Sequence, residues 1–332
     1  MRTPCRAGLV AGALALALAG CAAHEPRLAT DLPPGRPTRA ELVETPFFPQ
    51  REYQCGPAAL ATLLASAGFA VRPDELVAEV YIPGRRGSLQ AEMIAATRSR
   101  GLVPYVLPPS LEALLAQLAA GRPVVVLQKT GAGPWPGWHY AVVIGYDAAG
   151  QRVVLRSGTE ARLEMTAARF LATWDRADRW ALVALQPGTL PAEADLVRYM
   201  QAAAGLDAVG QHEAARRAFE AAAGHRPAEP LPQLGLANLA YGRGDLAAAE
   251  LGFRAAIERA PRDPVARNNR AAVLLELGCP AAARREIDRA ADLAGGGPHE
   301  RAVTDTRRSI EAASGSDRAG CPSDSAPAHS PP

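Results

Sequence analysis

Apolar residues follow different spacings in successive parts of this chain, and each spacing predicts a different kind of element. An unbroken apolar run from Ala7 to Ala19, behind Arg2 and Arg6, is too short to span a bilayer comfortably as a folded element. From Cys55 the spacing is helical: Leu60, Leu63 and Leu64 share one face, and Pro57 suits the first turn, where its missing N–H costs nothing. Helices are also predicted over Leu89 to Arg100 and over Leu111 to Ala120, the latter with Ser110 as N-cap and Gly121 at its end. Between them "LVPYVL" is a short apolar run. Beyond Pro123 the pattern turns strand-like at 124–128, 139–147, 152–157 and 179–185, with Gly, Pro and Asp between the runs. Helices followed by an antiparallel meander indicate an α+β domain, with a cleft between a helical and a sheet half.

From about residue 195 a longer period takes over. Gly210, Gly244 and Gly278 stand 34 residues apart, as do Ala215, Ala249 and Ala283; Phe219, Phe253 and Ile287; and Ala222, Ala256 and Ala290. Pro227 and Pro261 keep the same interval. This pattern resembles tetratricopeptide repeats, helix-turn-helix units whose apolar faces are covered only by their neighbours. The resemblance implies an all-α helical repeat domain with a concave face for a protein partner. Glu300 to Ala313 reads as one more helix, a cap on the last repeat.

The remaining stretches divide the chain further. Leu18-Ala19-Gly20-Cys21 looks like a bacterial lipobox, which implies a signal peptide over 1–20 and a lipid on Cys21. Residues 21–40, rich in proline and without an apolar period, read as a flexible tether to the membrane. The expected domains are then 41–190 and 195–313, with a disordered tail over 314–332. Ala22 after the cysteine favours, by the same resemblance, the outer membrane facing the periplasm. A net charge of +2 points to no partner class, and no basic stripe with interleaved aromatics supports nucleic-acid binding. Cys279 and Cys321 lie in a helical repeat and in the tail, and no structural disulfide is expected between them.

The candidate chemistry lies in the first domain. Cys55 stands at a helix start, where free backbone donors and the helix dipole favour a thiolate, and His139 is the only histidine between residues 40 and 195. If Asp147 to Gly150 form a four-residue hairpin loop, the register puts His139 opposite Gly158 and beside Ser157. Asp147 is roughly 26 Å along an unbent strand from His139, too far to orient it. No cysteine, histidine or carboxylate cluster suggests a metal or another cofactor. Tyr53, Trp135, Trp138 and Tyr140 flank the two positions and read either as walls of a groove or as core, while "GAGPWPG" at 131–137 resembles a mobile loop.

"PQREYQCGPAAL", followed by "GWHYAVVIGYD" with His139 84 residues after Cys55, resembles the papain-like cysteine peptidases of the bacteriocin-processing, double-glycine leader peptidase type. The resemblance implies an α+β papain-like domain that hydrolyses peptide bonds, with Cys55 as nucleophile and His139 as base and then acid. It also implies a glutamine before the cysteine as oxyanion donor, for which Gln50 fits best and Gln54 is the runner-up. The chain departs from the pattern where the family usually carries Asp-Pro or Asn: it reads Ser157-Gly158, and a neutral hydroxyl stabilises an imidazolium less than a carboxylate does. That departure keeps two rivals in view, a catalytically inactive peptide-binding scaffold and an acyl transferase that passes the thioester to an amine.

Overall fold

The computed structural model describes residues 28, 32, 35–50, 54–131, 137–313 and 315–322. The signal segment, the lipobox with Cys21, and the aromatic residues Tyr53 and Trp135 fall outside the described residues. The chain forms an antiparallel sheet with helices, followed by a purely helical region. Among the described residues no helix is long and apolar enough to cross a membrane.

In chain order the first region contains β1 (Arg39–Glu41), α1 (Cys55–Ser66), α2 (Pro73–Val80), α3 (Gln90–Ser99), β2 (Val103–Val106) and α4 (Leu111–Ala119). Then come β3 (Val124–Thr130), β4 (Gly137–Asp147), β5 (Arg152–Ser157), β6 (Glu160–Thr166), α5 (Ala167–Trp174) and β7 (Ala181–Leu185). The strands lie in the order β2-β7-β3-β4-β5-β6, and β1 pairs with the far end of β4. Ser110 caps α4 as predicted, its hydroxyl accepting the Ala113 N–H at 3.1 Å.

Helices cover both faces of this sheet, so no separate helical half stands apart from it. Tyr140, Val142 and Ile144 of β4 pack under α1, α2 and α3, whereas Ala141 and Val143 alternate onto the opposite face with α4 and α5. With both faces dry, β4 reads as an almost continuous apolar run. The core of the second face continues without a break into Tyr199, Met200, Leu206 and Phe219 of the helical region. Backbone contacts also tie the two regions, the Gln117 side chain donating to the Ala192 carbonyl at 2.7 Å and that of Gln211 to the Ser99 carbonyl at 2.8 Å.

The β4–β5 register differs from the predicted one. Asp147 faces Arg152 and Tyr146 faces Val153, so the loop sits one residue later than expected, and a bulge between Val143 and Gly145 then takes up part of the shift. β5 pairs with β4 only as far as Val142. From Gly137 to Ala141, β4 is therefore paired on its β3 side alone, and the opposite backbone edge is open for other groups.

The helical region has α6 (Leu196–Asp207), α7 (His212–His225), α8 (Pro230–Gly242), α9 (Leu246–Arg259), α10 (Pro264–Glu276), α11 (Pro280–Ala294) and α12 (Glu300–Ala312). The first six make three antiparallel pairs. Gly210, Gly244 and Gly278 occupy the turn inside each pair with φ of 79°, 76° and 77°, the left-handed region that explains glycine at this interval. The alanine and Phe/Ile columns of the 34-residue period are buried between the helices. A buried ionic cluster ties α9, α10 and α11: Arg270 donates to Glu250 at 2.8 and 3.0 Å and to Glu286 at 3.0 Å.

At the C-terminus the expectation of no disulfide fails, and that of a disordered tail fails over 315–322, residue 314 and 323–332 lying outside the described residues. Cys279 and Cys321 form a disulfide, and residues 315–322 pack against the third helix pair. Composition could not indicate this, because the segment is held by specific contacts: Asp317 accepts the Ala281 N–H at 2.7 Å at the start of α11, and Arg318 N–H donates to the Gly278 carbonyl at 3.2 Å. Closing a loop between cysteines 42 residues apart stabilises by about 4 kcal/mol in the chain-entropy picture. Cys279→Ala with Cys321→Ala is expected to lower the unfolding midpoint of the full chain in urea, and a reducing agent is expected to shift the wild type, but not the variant, by a similar amount.

Candidate active site

Cys55 is the first residue of α1, and the reasons are local. Pro57 cannot donate a backbone hydrogen bond and so sits in the first turn, while Leu60, Leu63 and Leu64 draw the helix onto the sheet. Gly56 is required by close packing: a Cβ at this position would come within 2.6 Å of the Ser88 Cβ. A larger residue beside Cys55 would push α1 away from the turn before α3.

The open edge of β4 receives this helix start. The backbone N–H groups of Tyr140, Gly56 and Cys55 itself face the Cys55 sulfur and favour its thiolate. The sulfur therefore rests against the peptide bond that joins His139 to Tyr140. The start of α1 reaches the backbone beside His139, 84 positions on in sequence, because β5 stops short and leaves that peptide unpaired on one side.

His139 lies on the stretch of β4 that β5 does not cover. Its Nε2 lies 2.9 Å from Ser157 Oγ. This contact is the neighbour relation the sequence predicted, reached through a different register. Ser157 thus engages Nε2 and not Nδ1.

Gln50 locks both partners from behind. Its N–H donates to the Gly158 carbonyl at 2.9 Å, its Oε1 accepts the Gly158 N–H at 2.9 Å, and its Nε2 donates to the Tyr140 carbonyl at 3.0 Å. One side chain thus ties the residue after His139 to the residue after Ser157. Gln54 precedes α1, where its carbonyl accepts the Ala58 N–H and its side chain makes no cap. The amide of Gln50 still has a second proton to direct at an oxyanion. Sequence reading treated Tyr140 as a possible wall and missed the role of its main-chain N–H and carbonyl, which no side-chain pattern announces.

Burial reverses the charge state expected of the pair. It pushes the Cys55 thiol up, against the three backbone N–H groups that favour the thiolate. It also pushes His139 down, disfavouring the imidazolium. Burial therefore favours the thiol and the neutral imidazole, not the preformed thiolate a bare helix terminus suggests. Among the described residues no group of three or more His, Cys, Asp or Glu is placed to hold a metal ion. Of the flanking aromatics, Tyr140 is core, edge-on to Trp180 with ring centroids 5.8 Å apart, whereas Trp138 is 55% exposed.

Residues 42–181 match the Peptidase_C39 like family, a stretch that contains Gln50, Cys55, His139 and Ser157 and ends before the helical region. No match is found among curated proteins. Among solved structures, a putative C39-like peptidase from Bacillus anthracis aligns with a TM-score of 0.38 and 19% identity, over 45% of this chain and 98% of its own. The Yersinia enterocolitica type III secretion chaperone SycD, in complex with a peptide of the translocator YopD, aligns with a TM-score of 0.33 and 20% identity, over 35% of this chain and 92% of its own.

Proposed function

We propose that the chain is a cysteine peptidase anchored in the bacterial envelope, with its tetratricopeptide-like helices recruiting a substrate or partner protein. The observation that carries the reading is the Cys55 sulfur facing the backbone N–H of Tyr140, one peptide bond from a histidine whose Nε2 is engaged by Ser157. As the sulfur attacks the substrate carbonyl carbon, its proton passes to His139 Nδ1. The carbonyl oxygen becomes an oxyanion, for which the Cys55 N–H and the second Gln50 amide proton are the available donors. The proton on His139 then goes to the leaving amine, and water attacks the thioester, giving up its own proton to His139 and regenerating the thiol.

The lipid on Cys21 and the periplasmic location rest on the lipobox resemblance. They are supported by the Cys279–Cys321 disulfide, since such bridges persist in oxidising compartments. Treating purified protein with a peptide mixture and weighing the products tests the reaction class. Hydrolysis leaves new carboxyl termini, whereas acyl transfer leaves amide cross-links; cross-links without new termini would replace peptidase by transferase.

A neutral Ser157 where an acid would hold the imidazolium favours the second reading, a peptide-binding scaffold without turnover. The two differ in what Ser157 does. In a peptidase, Ser157→Ala removes one neutral hydrogen bond, worth up to about 1.4 kcal/mol, so kcat/KM is expected to fall up to about tenfold. In a scaffold the substitution changes no rate. The pH profile is a further expected result. The reaction needs neutral His139, so rates are lost as pH falls through a pKa that burial has placed below the ordinary imidazole value of about 6.5. An acid limb centred above that value would contradict the neutral pair.

A further inference from the structure

The face of the sheet that carries Cys55 continues past the start of α1. The helix runs back over Val142 and Ile144, so Trp138, two residues before Tyr140 and in phase with it, lies on uncovered sheet ahead of the nucleophile. Directly across the ladder from Trp138 is Lys129, whose Nζ stands 5.2 Å from the centre of the indole ring. Lys129 is the one lysine in the chain, and among the described residues it makes no ion pair. The other basic side chain at this end of β3, Arg176, spends its guanidinium on backbone carbonyls, those of Ala172 and Gly131, at 2.8 and 3.2 Å.

Most arginine side chains at ion-pairing distance elsewhere meet a glutamate, as Arg100 meets Glu79 and Arg162 meets Glu41. A half-buried ammonium on an exposed aromatic plate, with no carboxylate of its own, is a place for a carboxylate brought by something else. Building on the peptidase reading, we infer that Lys129 and Trp138 form a specificity subsite for an acidic side chain of the peptide substrate. Two residues of strand advance about 6.6 Å, so the subsite takes the substrate residue two positions from the bond that is cut. Trp138 packs on the methylenes of that residue and holds the lysine in place, while Lys129 receives the charge. Both residues position substrate, and neither handles the reacting atoms.

The test is cleavage-site profiling of the full-length protein on a proteome-derived peptide library, with every new terminus sequenced by mass spectrometry. Asp and Glu are expected to be enriched about fivefold two residues from the cut on one side. Lys129→Arg keeps the enrichment, Lys129→Met abolishes it, and Lys129→Glu replaces it with Lys and Arg. Raised salt reduces it, as for an exposed charge pair. Cleavage with no acidic preference, or a preference that survives Lys129→Met, overturns the subsite and leaves the peptidase standing. An absence of any cleavage removes the peptidase reading and this inference with it.

Discussion

Replacing Cys55 with alanine is expected to abolish peptide hydrolysis, and His139→Ala to lower kcat/KM by about 10³–10⁴-fold, because nucleophile and base act as one unit. The neutral pair makes the dependence on histidine steep. A thiolate formed in advance by a helix terminus would retain some reactivity without its base, but a thiol pushed up by desolvation needs a base to take its proton at neutral pH. Combining the two substitutions is expected to cost little more than Cys55→Ala alone. Neither change should alter the fold, since Cys55 is only partly buried and the His139 side chain's hydrogen bond is to Ser157 at the end of β5. Far-UV circular dichroism of the variants beside their progress curves checks both halves. Residual turnover of Cys55→Ala near the wild-type rate would place the chemistry elsewhere.

The second large effect concerns stability. Arg270 is 4% exposed and bridges Glu250, 3% exposed, and Glu286, 1% exposed, between three successive helices. Arg270→Ala leaves Glu250 with only Arg254 at 3.8 Å among the ion pairs, whereas Glu286 keeps Arg267 and Arg289, both at 2.9 Å. Removing one member of a buried ionic set costs about 3–5 kcal/mol, since the partner stays buried without compensation. Urea unfolding followed by helical circular dichroism is expected to show that loss. Adding Glu250→Met to Arg270→Met should recover most of it, because an apolar replacement of the pair leaves no charge stranded. If the double change is as damaging as the single one, the cluster acts through shape and not through charge.

The elements dictated by local chemistry were legible in the sequence. Cys55 begins a helix because Pro57 and the leucine spacing permit nothing else nearby, Ser110 caps α4, and the 34-residue columns of glycine, alanine and phenylalanine correspond to the helix pairs. Long-range features were not legible. β6 escaped because an edge strand with alternate polar positions, Glu160, Arg162 and Glu164, lacks the apolar run that betrays a buried one. The bulge in β4 hid the register, although Ser157 was still placed beside His139. The disulfide depends on Asp317 and Arg318 finding α11 and Gly278, which a tail of Ser, Asp, Gly and Pro does not reveal.

For the site itself, sequence supplied the residue types, and the open edge of β4 brings the start of α1 to the backbone beside His139. Gln50 was singled out as an oxyanion donor by resemblance. Its contacts add a clamp that joins the backbone beside His139 to the backbone beside Ser157. The helix-terminus argument for a thiolate omitted burial, a tertiary quantity that only the packed structure sets, and it had the opposite sign.

The central claim is that His139 takes the proton of the Cys55 thiol, and alkylation kinetics test it most directly. Cys279 and Cys321 are paired, so with Cys5→Ser and Cys21→Ser a chloroacetamide probe reports on Cys55 alone. The alkylation rate of the wild type should depend on His139 throughout the neutral range and rise through an acid limb below about 6.5. His139→Ala should lose that limb and react only as pH approaches the raised thiol pKa. Identical profiles for wild type and His139→Ala would show that sulfur and imidazole do not communicate, and the peptidase account would be wrong.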